Sequence, residues 1–184
     1  MTPEIHAELT ELGMTFVPEF ITVEEERALL PKLIVRDAKR VFTHSGRNCV
    51  QRYGNAKPYN SYMISDKVPA HFDALSARLV ERNLVALKPD SVTVNEYLTG
   101  QVIQPHVDAL GGGPVITILS LGTPADMVFR RKNTDKWYTV ALQPRSLIQM
   151  HGDLRYKWTH EILPVKAKRY SVVFRCSQEC AEET

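Results

Sequence analysis

Cysteine is scarce in this chain. The 184 residues include three cysteines, Cys49, Cys176 and Cys180, and none of them has the C-x-x-C spacing of a thiolate zinc site. Their odd number and their scarcity argue against a framework of disulfides. We therefore expect the cysteines to be reduced residues that pack against the rest of the protein. We expect an intracellular location, in the cytoplasm or the nucleus, without excluding an organelle.

Long apolar runs and an excess of charge are also missing. No apolar run approaches the roughly 18 residues that a membrane span requires, and the N-terminus carries acids where a secretory signal carries bases. Lys and Arg number 23 against 21 Asp and Glu, so the net charge of +2 does not by itself predict a nucleic-acid or membrane partner. We expect a soluble monomer without a membrane partner.

After residue 90 the chain contains a series of short segments rich in Val, Ile, Thr, Phe and Tyr and separated by Gly, Pro, Asn or Asp. These segments are SVTVNEYL, PVITILSL, DMVFRR, KWYTVAL, RSLIQM, YKWTHEIL and KRYSVVFR. No helical pattern separates them, which predicts antiparallel strands in a sandwich or barrel, with a jelly roll as the leading candidate. The length, without linker or repeat, predicts a single domain over residues 1–184.

Before residue 90 the sequence predicts a short strand at 16–20 and two helices. Thr22 and Glu25 have the spacing of a capping box at the start of EEERALLPKL. In VPAHFDALSARLVERN the apolar residues recur at helical spacing. Residues 47–62 read as a loop or an irregular strand. The predicted class is therefore mainly β with bracing helices (α+β).

The stretch QPHVDALGGG places His106 and Asp108 two positions apart. In an extended segment these side chains would share a face. His160, in WTHEIL, could add a second imidazole, and two imidazoles with one carboxylate form the facial triad of non-heme Fe(II) sites. Because HxD is a common tripeptide, these residues alone leave open the alternative of a polar turn.

The last predicted strand, RYSVVFR, has a polar and an apolar face. Alternation puts Arg169, Ser171, Val173 and Arg175 on one face, and Tyr170, Val172 and Phe174 on the other. An inward arginine is costly unless it pairs with an anion, and two on one face suit both ends of a short dicarboxylate such as 2-oxoglutarate. In SVTVNEYL, Asn95 and Tyr97 share a face and could hydrogen-bond the same acid. The alternative is that the apolar face points inward and both arginines are solvated.

Together, VNEYLTGQVIQPHVD, SLG, LRYKWTH and RYSVVFR resemble the AlkB family of Fe(II)- and 2-oxoglutarate-dependent dioxygenases, from about residue 91 to 175. The resemblance implies a double-stranded β-helix, which is a distorted jelly roll, with Fe(II), 2-oxoglutarate and O2 as cofactors. It implies iron on the catalytic residues His106, Asp108 and His160. It implies that the distal carboxylate of 2-oxoglutarate binds Arg169, supported by Tyr97 and Asn95, with Arg175 near the end that chelates iron. Ser171 and Val173 replace a polar pair often found in the family, which changes the hydrogen bonds around the cosubstrate.

The family commonly works on modified bases, which must be unpaired or flipped to reach such a site. Tyr53 in RNCVQRYG and Arg155 in GDLRYKWTH resemble residues that cover or flank the base in relatives. Residues 130–169 contain ten Lys or Arg and three acids, which would suit a phosphate backbone if the bases share a face. A charge-rich β surface is more often simply solvated.

Among the branches of the AlkB family, the one that acts on transfer RNA wobble uridines is most similar in sequence to the stretches NEYLTGQVI, RSLIQM and LRYKWTHEI. The acid that often follows HxD in DNA-repairing relatives is absent here, since residues 109–113 read ALGGG. The resemblance therefore implies a dioxygenase that hydroxylates or oxidatively demethylates bases, with RNA favoured over single-stranded DNA. The alternatives are a protein hydroxylase or lysine demethylase with the same chemistry, and a non-catalytic interaction domain on this fold.

Overall fold

A computed structural model describes residues 1–34, 49–54 and 67–176. The helices of these residues are α1 (Pro3–Leu12), α2 (Val23–Leu29), α3 (Ala70–Glu81) and α4 (Gly152–Tyr156). The strands are β1 (Met14–Val17), β2 (Cys49–Gly54), β3 (Ser91–Tyr97), β4 (Ile103–His106), β5 (Ile116–Leu121), β6 (Ala125–Arg131), β7 (Trp137–Leu142), β8 (Leu147–Met150), β9 (Trp158–Ile162) and β10 (Arg169–Arg175). None of these helices combines the length and the apolar character needed to cross a membrane.

The strands form two antiparallel sheets. The larger sheet has six strands in the order β1-β8-β5-β10-β3-β2, and the smaller has four in the order β4-β9-β6-β7. Each of the seven segments predicted as strands after residue 90 overlaps one of these strands, and strands of the larger sheet such as β5 and β8 are buried on both faces. The prediction of a mainly β jelly roll is confirmed.

Two hydrophobic clusters pack the sheets against each other and against the helices. The first contains side chains of both sheets, among them Ile118 and Val173 of the larger sheet and Phe129 and Trp158 of the smaller. The second contains residues of the larger sheet together with Leu29 of α2 and Phe72, Leu75 and Leu79 of α3. The larger sheet is thus covered on both faces, and the predicted bracing helices cover the face turned away from the smaller sheet.

The capping box that starts α2 is present as predicted. The Glu25 amide donates to Thr22 Oγ1 at 3.1 Å, and the Thr22 amide donates to Glu25 Oε2 at 2.8 Å. Because both bonds satisfy amides that lack a partner within the helix, the start of α2 is well defined by its sequence.

Other elements differ from the sequence prediction. Helices α1 and α4 were not predicted, although Thr2 caps α1 and Gly13 ends it with a positive φ of 111°. Strand β1 begins two residues before the predicted segment 16–20 and ends three residues before its end, because the chain turns after Val17. In the segment 47–62, Cys49–Gly54 form a regular strand because β3 supplies a full pairing partner. The remainder of that segment and Cys180 lie outside the described residues.

Candidate active site

A cavity of about 590 Å³ opens between the two sheets. Its wall combines chemical groups from β3, β4, β9 and β10 with the segment that follows β4. The residues of the sequence prediction that line it are Asn95, Tyr97, His106, Asp108, His160, Arg169, Ser171 and Arg175. The fold therefore brings eight side chains from distant parts of the chain into one polar, partly enclosed space, which is where ligand sites are usually found.

His106, Asp108 and His160 converge at one point in this cavity. One ligand atom from each lies within 4.8 Å of the others, and the two imidazole rings are 4.3 Å apart between centroids. The imidazoles meet because β4 and β9 pair antiparallel with His106 opposite His160. The sequence prediction assumed that alternation along a strand orients the Asp108 side chain. Strand β4 ends at His106, however, so another contact must set the direction of this side chain. Two imidazoles and a carboxylate could hold a divalent metal with open positions.

Asp108 is aimed instead by Arg175. The Arg175 guanidinium donates to Asp108 Oδ2 from Nη2 at 2.8 Å and from Nε at 3.3 Å, and its Nη1 donates to Thr93 Oγ1 at 3.2 Å. Burial alone would raise the pKa of Asp108, but Arg175 and His106 outweigh it and hold that pKa well below its usual range. The carboxylate is therefore ionised, as a metal ligand must be.

The backbone fixes the orientation of the His106 ring. Its Nδ1 lies 2.8 Å from the Gln104 carbonyl oxygen, so a proton on Nδ1 is donated there. This leaves Nε2, 3.4 Å from Asp108 Oδ1, to face the point where the three side chains meet. Burial lowers the pKa of His106, but its bonds to Asp108 and to the Gln104 carbonyl have the larger combined effect and raise it.

His160 is held as a neutral imidazole. It is 8% exposed, and burial, followed by the nearby His106 and arginine charges, lowers its pKa to about 4. A neutral imidazole has a free ring nitrogen for a metal, so His160 needs no deprotonation before it can bind one at neutral pH.

Arg169 marks the opposite end of the polar wall. The side chain is fully buried, and its Nη2 donates to Ser120 Oγ at 3.1 Å. Its Nε and Nη1 have no hydrogen-bond partner among the described residues, and its Cζ stands 4.9 Å from the centroid of the Tyr97 ring. Burial lowers the pKa of Arg169. A buried guanidinium with unpaired N–H donors is energetically costly unless an anion accepts hydrogen bonds from them. This end of the cavity therefore fits the carboxylate of a 2-oxo diacid.

Neutral groups stand beside Arg169. Tyr97 is opposite Arg169 in the pairing of β3 with β10, and Asn95 is opposite Ser171. Asn95 Nδ2 donates to Ser171 Oγ at 3.2 Å, and burial raises the pKa of Tyr97, which keeps its hydroxyl protonated. The hydroxyl and amide groups can hydrogen-bond a carboxylate without adding a competing charge.

Comparison with known proteins agrees with this geometry. Residues 32–179 match the model of the 2OG-Fe(II) oxygenase superfamily. The chain belongs to this superfamily. It is therefore a 2-oxoglutarate-dependent dioxygenase whose cofactors are Fe(II), 2-oxoglutarate and O2, as the resemblance implied.

Relatives of this oxygenase include nucleic-acid-modifying proteins. It is 33% identical to the tRNA (carboxymethyluridine(34)-5-O)-methyltransferase alkbh8 of Xenopus tropicalis, over 84% of this chain and 26% of that protein. It is 30% identical to an uncharacterized protein of Acanthamoeba polyphaga mimivirus, over 84% of this chain and 74% of the viral protein. The structure of OsALKBH1 is similar with a TM-score of 0.65 at 17% identity, over 89% of this chain and 96% of that chain. The AlkB-like resemblance is confirmed, and the chain spans only about a quarter of the Xenopus protein.

The two residues expected to contact the substrate are not on the cavity wall of this oxygenase. Tyr53 faces away because β2 alternates: its hydroxyl donates to Gln51 Oε1 at 2.8 Å, and its ring lies 5.8 Å from that of Phe72 in α3. The side chains of Val50 and Arg52 lie on the other face of β2 and line the cavity instead. Arg155 is buried behind the wall, where it bonds the backbone that follows His106.

Thr93, Ser120 and Arg52 are among the polar residues of the site that the sequence prediction missed. Thr93 contacts Arg175, Ser120 contacts Arg169, and Arg52 lines the cavity. Thr93 has the same alternation as Asn95 and Tyr97 in SVTVNEYL, so that pattern contained the signal. Arg52 could be found only if RNCVQRYG were recognised as a strand, and Ser120 only from its pairing with β10.

The basic residues between 130 and 169 do not form one open surface. Five of them pair with carboxylates, as Arg130–Glu161, Lys136–Glu8, Arg145–Glu26, Lys157–Asp153 and Lys168–Glu96. Arg155 and Arg169 are buried. Half of these ten basic residues are therefore paired with carboxylates and two more are buried, which weakens the case for a broad phosphate-binding patch in that segment.

Proposed function

We propose that this oxygenase hydroxylates or oxidatively demethylates a modified base in nucleic acid, with RNA, and transfer RNA in particular, favoured over DNA. One observation carries the proposal: the three convergent donors lie within 4.8 Å of one another in the same cavity as the buried Arg169, which has two nitrogens without a partner among the described residues. A metal at one end and a diacid at the other would satisfy both sets of groups.

In this proposal His106, Asp108 and His160 hold Fe(II). Arg169 receives the distal carboxylate of 2-oxoglutarate, with Tyr97, Asn95 and Ser171 hydrogen-bonding around it. Arg175 keeps the Asp108 carboxylate ionised and oriented at the end of the cavity where the three ligands would hold the metal. The support for these roles is the ionised carboxylate, the neutral His160 ring and the direction of the spare donors.

Bound Fe(II), with 2-oxoglutarate and O2, supplies an oxidation in which the diacid loses CO2, one oxygen atom enters succinate and the other becomes a hydroxyl on a substrate carbon. An N-methyl carbon hydroxylated in this way is released as formaldehyde, whereas another carbon keeps its hydroxyl. The residues of this chain decide which carbon faces the iron, because they form the wall against which the base rests.

The choice of RNA is supported by the named activity of the Xenopus relative on uridine 34 of transfer RNA. The cavity of about 590 Å³ is larger than the small diacid requires, which leaves room for an unstacked base. Val50 and Arg52 line this cavity on the β2 side and are candidates for contact with the nucleotide. Such a substrate would also require an intracellular location.

The chemistry is tested by supplying Fe(II), 2-oxoglutarate and O2 and measuring succinate. Wild type should form succinate, and His106→Ala should abolish both succinate formation and metal binding because one of three ligands is lost. His151→Ala removes an exposed histidine and serves as the matched control, which should retain wild-type values. Succinate formation by His106→Ala at the wild-type rate would refute the metal assignment.

The substrate is tested with modified oligonucleotides and mass detection of the products. An anticodon stem-loop with a carboxymethyl-modified uridine should gain one oxygen atom, or an N-methylated RNA should lose one CH2 group and release formaldehyde. Single-stranded DNA with the same modifications should react more slowly. Turnover of peptides with none of nucleic acid would instead support a protein hydroxylase or lysine demethylase.

A further inference from the structure

Arg155 occupies an unusual position for an arginine. It lies in the short helix α4, five residues before His160, and its side chain is 3% exposed. Nη1 donates to the Asp108 carbonyl oxygen at 2.8 Å, and Nη2 donates to the Ala109 carbonyl oxygen at 2.6 Å. The planar fork of one guanidinium thus binds two consecutive backbone carbonyls.

These two carbonyls belong to the segment after β4, whose local backbone bonds are turn bonds from the Gly112 amide to the Ala109 oxygen at 3.1 Å and from the Gly113 amide to the Leu110 oxygen at 3.3 Å. Strand β4 ends at His106, and the chain then runs through a short 3-10 turn at Leu110–Gly112, where Leu110 is 71% exposed. Asp108 must nevertheless be held within a few tenths of an ångström to act as a ligand. Arg175 restrains its carboxylate from β10, but a side chain can be aimed precisely only if its own backbone is fixed.

We propose that Arg155 is a positioning residue that fixes the backbone of Asp108 for metal binding, rather than a residue that contacts the substrate base. Its fork connects α4, which leads directly into the strand bearing His160, to the segment bearing Asp108. Two of the three ligands are therefore tied to each other through one buried side chain. This inference rests on the proposed role of Asp108 as a metal ligand.

Arg155→Lys tests the inference because lysine keeps the charge and the apolar stem but loses the fork. Titration with Co(II) alone should show affinity weakened on the order of 10- to 100-fold, as for other groups that orient a ligand. The visible Co(II) spectrum should change with it, since the Asp108 carboxylate is no longer held in place. Arg131→Lys, at an exposed position on β6, is the matched control and should bind Co(II) as wild type does.

A second measurement separates positioning from substrate contact. Binding of a labelled single-stranded RNA to the metal-free protein should be the same for wild type and Arg155→Lys. Unchanged Co(II) affinity of Arg155→Lys would overturn the inference, whether or not RNA binding changes. A loss of RNA affinity in the metal-free Arg155→Lys protein would also overturn it. Failure of wild type itself to bind Co(II) would instead refute the proposed function.

Folding of the variant is monitored by its circular dichroism melting curve. If Arg155→Lys does not fold, nitrogen-15 NMR of the wild-type arginine side chains replaces it. Two distinct, slowly exchanging Nη signals for Arg155, sharpened further when Zn(II) is added, would support the inference. Averaged, rapidly exchanging signals would overturn it.

Discussion

Arg169 and Arg175 stand at the two ends of the same strand, yet their surroundings differ. Arg175 faces the Asp108 carboxylate at 2.8 Å, so its charge is compensated within the protein. Arg169 is fully buried, its contacts with Ser120 Oγ and the Tyr97 ring are neutral, and no carboxylate of the described residues is paired with it, so its charge suits a bound anion. One arginine therefore shapes the metal end, and the other is available to a ligand.

Arg169→Met should weaken 2-oxoglutarate binding by about 1.5 to 3 kcal/mol, the range for a lost charge-assisted hydrogen bond. The unliganded protein should not lose stability, because a buried charge is replaced by an apolar side chain of similar length. Titration calorimetry with 2-oxoglutarate and the melting curve without it measure the two effects. Arg131→Met, at an exposed position, is the control. Unaltered 2-oxoglutarate affinity in Arg169→Met would contradict the assignment.

At the scale of the element, the segment after β4 shows how a connection can carry a functional residue. Gly113 has a positive φ of 83°, and a Cβ there would lie 2.3 Å from the Cys176 carbonyl oxygen. Gly111, two residues earlier, has nothing within 4 Å of such a Cβ. The return of this segment to β5 thus depends on a glycine at position 113 and not on one at position 111.

Gly113→Ala should destabilise the protein by about 1 to 3 kcal/mol because of backbone strain and the clash with residue 176. Co(II) affinity should fall as well, since Asp108 lies on the displaced segment. Gly111→Ala should be neutral or slightly stabilising. Urea unfolding and Co(II) titration of the two variants test this, and equal behaviour of both would show that the segment adapts freely.

Helix α2 is joined to α3 by an ion pair that should depend on pH. Glu25 binds Arg78, with Nη1 at 3.0 Å, and it closes the capping box on Thr22. The bond to Arg78 first, and then the Thr22 amide, lower the pKa of Glu25 from 4.5 to about 2. Because the folded-state pKa is depressed, the stabilisation is present above pH 4.5 and is lost as the pH falls toward 2.

Glu25→Gln should therefore be less stable than wild type at pH 7, by about 1 kcal/mol or less because the pair is partly exposed to solvent. The difference should shrink as the pH falls from 4.5 toward 2, since the wild-type Glu25 carboxylate becomes protonated in that range and the glutamine of the variant does not titrate. Urea unfolding at several pH values measures it. Glu24→Gln, one residue earlier and exposed, removes the same charge from the first turn of α2 and should show no such convergence.

At the scale of the whole molecule, the cavity joins the two sheets. His106 and His160 come from the smaller sheet, whereas Arg169, Arg175 and their neighbours come from the larger one. A metal chelated by a diacid would thus bridge the sheets and bind only when they are correctly apposed. Ligand binding and folding of the sandwich should be coupled.

Co(II) with 2-oxoglutarate should raise the melting temperature of wild type. At ligand concentrations 100-fold above the dissociation constant the stabilisation is about 2.7 kcal/mol, or roughly 5 to 10 °C for a chain of this size. Differential scanning calorimetry measures the shift. His106→Ala should show a much smaller shift, and an unchanged melting temperature in wild type would contradict a site that spans both sheets.

Much of the fold and site could be predicted from local patterns. Strands β3 and β5 to β10 follow from short segments rich in β-branched and aromatic residues between turn residues, and the start of α2 follows from the spacing of Thr22 and Glu25. The side chains at 106, 108 and 160 allow a metal site, but HxD is a common tripeptide, so the assignment of iron to them depended on the family resemblance over residues 91–175. Helix α4 was missed because five residues are too few for a helical period to appear.

The sequence by itself determined which side chains share a strand face and which chemical groups are available, since alternation and residue type are local properties. Only the tertiary structure decided which face is enclosed and what lies opposite it. The sheet pairing places His160 beside His106, the phase of β2 turns Arg52 rather than Tyr53 to the cavity, and the burial of α4 aims Arg155 at the Asp108 backbone. These relations join residues far apart in the chain, so they arise from packing between elements and are not carried by any single segment.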